Sequence, residues 1–164
     1  YDTLILSPGA QAIMPDIEGI HEAEHLYTLR NIPDTDRIKA VVDETNPKHA
    51  VVIGGGFIGL EMVENLVHRG MKVTIVQVSN QVMAPLDYEM ASLVHAHLKE
   101  KGVEILFNES GINVCPPNPG LTDMIKTQSI SVKTCLIISS GVWGFKTTPH
   151  CISYCLINCN VRCK

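Results

Sequence analysis

Val51-Val-Ile-Gly-Gly-Gly-Phe-Ile-Gly-Leu-Glu61 decides how the rest of the chain is read, because a β-branched run feeds directly into Gly54, Gly56 and Gly59 and then into an amphipathic stretch. Set between a strand and a helix, this is a dinucleotide-binding fingerprint. Gly54 lets the chain turn off the strand, Gly56 lets the backbone approach a pyrophosphate, and Gly59 lets helix and strand pack closely. The N–H groups of the first helical turn then face the phosphates, with the helix dipole assisting. The flanks complete one βαβ unit: a strand over 49–53, a helix over 57–68, Gly70 as its stop, and a second strand over 72–78. The candidate cofactor-binding residues of this segment are Ile53, Gly54, Gly55, Gly56, Phe57, Ile58 and Gly59. The competing reading is a glycine turn that only packs a helix on a sheet.

The fingerprint also predicts an acidic residue about 20 positions on, at the end of the second strand, to hold a ribose 2′-hydroxyl. Gln77 stands there instead. Its amide can still bond a ribose hydroxyl but lacks the charge that repels a 2′-phosphate, and it reads equally well as a solvated strand end. Ser79-Asn80-Gln81 offers no Arg or Lys to receive a 2′-phosphate, so NAD and NADP both stay open.

At 164 residues the chain is about one domain's worth. It is 45% apolar and has no run long enough to cross a membrane. It starts at Tyr1 without a signal-peptide pattern, so a cytoplasmic location is expected. The net charge of −4 conceals an asymmetry: residues 1–110 carry 8 Lys and Arg against 16 Asp and Glu, whereas residues 111–164 carry 5 against 1. The acidic first part argues against a nucleic-acid surface. All 6 cysteines lie between Cys115 and Cys163, which marks a break in composition.

In chain order, residues 2–6 read as a short apolar strand closed by a turn at Ser7-Pro8-Gly9. A strand at the very start needs sheet partners, so a piece of something larger is expected. Residues 11–33 read as a connecting segment with one strand over 25–29; Asp34 then caps a helix to about 44, with Ile38, Val41 and Val42 on one face. His21, His25 and His49 lack ligand-like spacing and read as surface or edge residues. Asp87 caps a further helix to about 101, with Met90, Leu93, Val94 and Leu98 as its buried stripe and Gly102 as its stop. His95 and His97, two apart, fall on different helix faces and cannot form a metal pair. A third strand is expected over 103–107.

Four stretches in this order resemble consecutive signatures of the flavin-dependent pyridine nucleotide-disulfide oxidoreductases. They are Tyr1-Asp-Thr-Leu-Ile-Leu-Ser-Pro-Gly-Ala10, Tyr27-Thr-Leu-Arg-Asn-Ile-Pro-Asp-Thr-Asp-Arg-Ile38, Ala50-Val-Val-Ile-Gly-Gly-Gly-Phe-Ile-Gly-Leu-Glu61 and Asn80-Gln-Val-Met-Ala-Pro-Leu-Asp-Tyr-Glu-Met-Ala91. The similarity is greatest to the branch of coenzyme A-disulfide reductases, NADH-dependent persulfide reductases and NADH oxidases, and runs to about Phe107. The resemblance implies NAD or NADP and FAD as cofactors, with hydride passing from nicotinamide to flavin and electrons on to a small-molecule disulfide, a persulfide or oxygen. It implies that Ser7, Pro8 and Gly9 form the turn ending the flavin domain's last strand, and that Glu61 lies near nicotinamide and flavin. Glu61 reads otherwise as a helix-surface carboxylate, mildly repelled by Glu64. The family's first flavin motif and redox cysteine belong upstream of Tyr1, and its second flavin motif and dimerisation domain beyond Lys164. No catalytic residue is therefore assigned here, a homodimer is expected only of the full-length protein, and the chain alone is not expected to complete the reaction. The alternative is a non-catalytic nucleotide-binding or degenerate fragment.

Beyond 108 the resemblance implies a short antiparallel meander and then a strand within Thr134-Cys-Leu-Ile-Ile-Ser-Ser-Gly-Val142, ending with Gly141 beside the nucleotide. Cys115-Pro-Pro-Asn-Pro-Gly120 reads as a loop. Cys151, Cys155, Cys159 and Cys163 recur every fourth residue, which on a helix lines one face for a soft metal; poor helix formers between them favour a tail foreign to the fold. The expected architecture is a doubly wound α/β fold: a Rossmann-like three-layer parallel sheet with helices on both faces and an irregular C-terminal tail. Its expected divisions are 1–10 (flavin-domain exit strand), 11–46 (connecting segment and helix), 47–142 (NAD(P)-binding domain) and 143–164 (Cys-rich tail).

Overall fold

The computed structural model describes residues 3–5, 12–14, 18–109, 112–115, 124–126, 131–133, 136–139 and 142–143. Ser7, Pro8, Gly9, Gly141 and the cysteines of the tail lie outside them. The chain runs through β1 (Ala12–Ile13), a single 3-10 turn (Ile20–Glu22), β2 (Leu26–Thr28) and α1 (Ile32–Thr45). The unit built on the glycine motif follows as β3 (His49–Ile53), α2 (Phe57–His68) and β4 (Lys72–Val76), continued by α3 (Tyr88–Glu100) and β5 (Glu104–Leu106). Short strands complete the chain: β6 (Asn113–Cys115), β7 (Met124–Lys126), β8 (Ser131–Lys133), β9 (Leu136–Ser139) and β10 (Val142–Trp143).

Five strands form one parallel sheet in the order β2-β9-β3-β4-β5. The meander β6-β7-β8 is antiparallel, and β1 pairs antiparallel with β10. β3 occupies the centre, where a strand is covered on both faces and reads as an unbroken apolar run; Ala50, Val51 and Val52 are accordingly buried. Its side chains alternate between two cores. Ala50 and Val52 join Val73 and Ile75 of β4, Ile38 and Val42 of α1, Met62, Val63 and Leu66 of α2, and Leu98 of α3. Val51 and Val76 face the other way, with Val114 of β6, Leu106, Ile112 and Ala23.

The α/β class and the parallel sheet are as expected, and the layering is corrected: among the described residues all three helices cover one face, and β6 with the segment before β2 covers the other. Helix-to-strand crossovers that all step the same way across a sheet, each right-handed, must fall on one face.

β3 and α2 occupy the expected residues, and Gly70 and Gly102 both take φ +77 as helix stops. α1 begins earlier than expected. Asn31, not Asp34, is its N-cap: Asn31 Oδ1 accepts the Asp34 N–H at 3.0 Å while Asp34 Oδ2 accepts the Asn31 N–H at 3.2 Å, a reciprocal capping box. Pro33 is tolerated because first-turn N–H groups have no helical acceptor. In α3 the buried stripe is Ala91, His95 and Leu98, whereas Met90 and Leu93 are 54% and 63% exposed. Asp87 is at the N-cap position but makes no side-chain cap bond. Residues 3–5 have no strand partner among the described residues and leave Leu4 and Ile5 exposed.

Candidate nucleotide-binding site

At the carboxyl end of β3 the chain passes through Gly54, Gly55 and Gly56 into α2. Gly54 has φ +101, a conformation that L side chains rarely adopt, and its N–H donates to the Val76 carbonyl at 2.9 Å, tying the turn to the end of β4. Gly56 is the N-cap of α2 with φ −83, so any residue fits its backbone; what distinguishes it is open space, since a Cβ there would meet nothing within 4 Å among the described residues. Among the described residues no side chain caps this helix. The Leu60 N–H is bonded to the Gly56 carbonyl at 2.9 Å, and helix geometry leaves the N–H groups of Phe57, Ile58 and Gly59 pointing off the helix start. The result is an uncapped, unobstructed ring of amide donors at the positive end of a helix dipole, a ready anion site. Gly59 lies on the buried stripe of α2 with Met62, Val63 and Leu66, as expected for close helix–sheet packing. Phe57 is 63% exposed at the mouth of the turn.

Gly55 has a role that the motif alone did not indicate. A Cβ there would stand 2.6 Å from Val82 Cγ1 and 3.4 Å from Val82 Cα, so the residue is small in order to admit the loop after β4. Both its backbone groups are held: its N–H donates to Gln77 Oε1 at 2.7 Å, and its carbonyl accepts the Met83 N–H at 2.8 Å. Gln77 is thus half-buried, with both ends of its amide bonded within the protein. Its Nε2 donates to Ser79 Oγ at 2.6 Å, and Ser79 Oγ donates to the Gln81 carbonyl at 2.8 Å. No signal within the local sequence pairs residues 55 and 82; only the fold brings them together.

His95 fixes the far end of the same loop, its Nε2 accepting the Val82 N–H at 3.1 Å. Burial, and then the Lys99 ammonium one turn along α3, hold its pKa below the ordinary 6.5. The ring stacks at a tilt on Phe107, centroids 4.7 Å apart, with Tyr88 edge-on at 6.3 Å. His97 is exposed, so the two histidines point apart as their spacing implied. Glu61 is exposed on α2, one turn beyond the glycines; the Asn65 amide donates to its carbonyl at 2.8 Å. β9 ends beside the turn, Ser139 pairing with Ile53.

Residues 1–142 match the model of one protein family, described as pyridine nucleotide-disulphide oxidoreductase. The chain belongs to that family. Among its curated relatives is a coenzyme A disulfide reductase of Staphylococcus haemolyticus, 37% identical over 114 residues, which are 70% of this chain and 25% of the relative. The chain thus spans about a quarter of the length of the curated relatives it matches. The reduced Bacillus anthracis protein named CoADR-RHD superposes with a TM-score of 0.77 at 51% identity, over 89% of this chain and 26% of that one. An NAD-dependent persulfide reductase from A. fulgidus does so at 0.75 and 32% identity, over 87% and 26%. Among the described residues no helix is long and apolar enough to cross a membrane.

Proposed function

We propose that this chain is the nicotinamide nucleotide-binding portion of an FAD-dependent oxidoreductase whose substrate is a small disulfide, such as that of coenzyme A, or a persulfide. The observation that carries the reading is the open approach to Gly56, which leaves room for a diphosphate against the amide donors of the α2 start. A side chain filling that space would have refuted it.

Gly56, Phe57, Ile58 and Gly59 would hold the pyrophosphate, Gly54 and Gly55 setting the turn that presents them. The bound nicotinamide supplies hydride to a flavin carried elsewhere in the full-length protein. Glu61, exposed on the same helix, would orient the nicotinamide end, and Gly141 and Ser7-Pro8-Gly9 are proposed to line the two cofactors. Gln77 spends its Oε1 on Gly55 rather than on a ribose, so the adenosine side offers neither a carboxylate that rejects a 2′-phosphate nor an Arg or Lys that selects it. Turnover belongs to the full-length protein; the chain alone binds nucleotide without completing the reaction. Residues 47–142 are the proposed domain.

The test is Gly56→Val, titrated with NADH by fluorescence beside the parent chain. Because a Cβ at residue 56 meets no atom of the described residues within 4 Å, circular dichroism and the melting temperature should change little, while binding is lost through exclusion of the diphosphate. Equal affinities in the two chains would overturn the proposal.

A further inference from the structure

We propose that His95 is a positioning residue for the nucleotide site, a neutral imidazole that holds the loop after β4 against Gly55 and releases it on protonation. The inference rests on the reading of the glycine turn given above. An N–H can be accepted only by a ring nitrogen that carries no proton, so the Val82 bond at 3.1 Å places the His95 proton on Nδ1. Protonation turns Nε2 into a donor aimed at a donor. Val82 is the residue whose side chain fills the space over Gly55, and the next residue, Met83, donates to the Gly55 carbonyl. A loop let go at Val82 therefore loosens two of the contacts that hold Gly55, and Gly56 follows it directly in the chain.

The surroundings set the direction of the effect. Phe107 from the chain after β5 and Val82 from the loop bring no charge to the ring; from α3 it has the Tyr88 ring edge-on and the Lys99 ammonium one turn along. Burial and then Lys99 depress the folded pKa, so the bond is fully present above 6.5 and is lost as pH falls below that value through the folded pKa.

The test measures binding of ADP-ribose, whose pyrophosphate stays ionised throughout, to the full 164-residue chain between about pH 8 and about pH 5 by calorimetry. Affinity in the parent should fall about five-fold over that range, the worth of one such hydrogen bond. His95→Gln, which offers a non-titrating acceptor, should bind with little pH dependence. A flat parent, or a His95→Gln variant with the parent's slope, would overturn the proposal. In parallel, the Val82 and Gly55 amide resonances of the parent should move with the His95 titration, and failure to do so would also overturn it. If no ADP-ribose binds at any pH, the nucleotide reading fails, and the amide titration alone decides whether His95 controls the loop.

Discussion

Gly55→Ala isolates the least expected contact of the site. The new methyl carbon would lie 2.6 Å from Val82 Cγ1, 3.1 Å from Val82 Cβ and 3.4 Å from its Cα. Non-bonded carbons settle at about 3.5–4.0 Å, so the overlap with Cγ1 is close to 1 Å. Rotating the valine removes the Cγ1 clash but leaves the tight approach to Cβ, and Val82 is fully buried with little room to turn. Its backbone is also fixed, by the His95 acceptor on one side and the Met83–Gly55 bond on the other. Overpacking of this kind costs about 1–3 kcal/mol. At this chain length each kcal/mol lowers the melting temperature by about 2–4 °C. Calorimetric melts of Gly55→Ala, Val82→Ala and the double variant measure it as a cycle. The double variant should be less destabilised than the sum of the singles, because the smaller residue 82 makes room for the methyl. Strict additivity, or a Gly55→Ala chain that melts with the parent, would refute the contact.

Two further outcomes test the scaffold around the site. Asn31→Ala removes half of the capping box at the start of α1, whose partners are Asp34 and the Asn31 backbone itself; a loss of about 1 kcal/mol in urea unfolding is expected, and no loss would mean that the box is not formed in solution. Thr74→Val cuts a polar link across three strands, in which the buried Thr74 hydroxyl meets His49 Nε2 at 2.9 Å and donates to Glu104 Oε2 at 3.0 Å. His49 is only half-buried and Glu104 exposed, so both regain water, and the cost should be about 1 kcal/mol; a more stable variant would show the link contributes nothing.

β3 and α2 were legible to the residue because their signals are local: a β-branched run, glycines at fixed offsets and a glycine stop. The α3 stripe is legible only in part: Leu98 is buried and Val94 packs against the core as expected, but Met90 and Leu93 are exposed. His95 is buried and accepts the Val82 amide, a bond made between elements that no local pattern announces. Asp34 has the chemistry of a cap because Asx residues favour that position, but Asn31 three residues earlier has the same chemistry and Asp34 completes its box. Gln77 was left between a ribose ligand and a solvated end; its partner is the Gly55 amide, visible only once β3 and β4 are side by side. The glycine motif thus marked where the site lies, while the residues that hold it there are tertiary.

The order of strands explains why the site opens where it does. The steps from β2 to β3, β3 to β4 and β4 to β5 all proceed the same way across the sheet, and right-handed crossovers place α1, α2 and α3 on one face. The step from β5 to β9 runs back past β4 and β3, so the same handedness carries that connection over the other face, where β6 buries Val114 against Val51 and Val76. Neighbouring β3 and β9 are therefore served from opposite faces, the topological switch at which open α/β sheets leave a crevice outside the carboxyl ends of their strands. Gly54 and Gly55 form one lip of that crevice, and Ser139 at the end of β9, paired with Ile53, lies beside it. Strand order thus places the opening without reference to any motif. The three glycines answer separate demands there: a left-handed turn at Gly54, Val82 against Gly55, and unobstructed amides at Gly56.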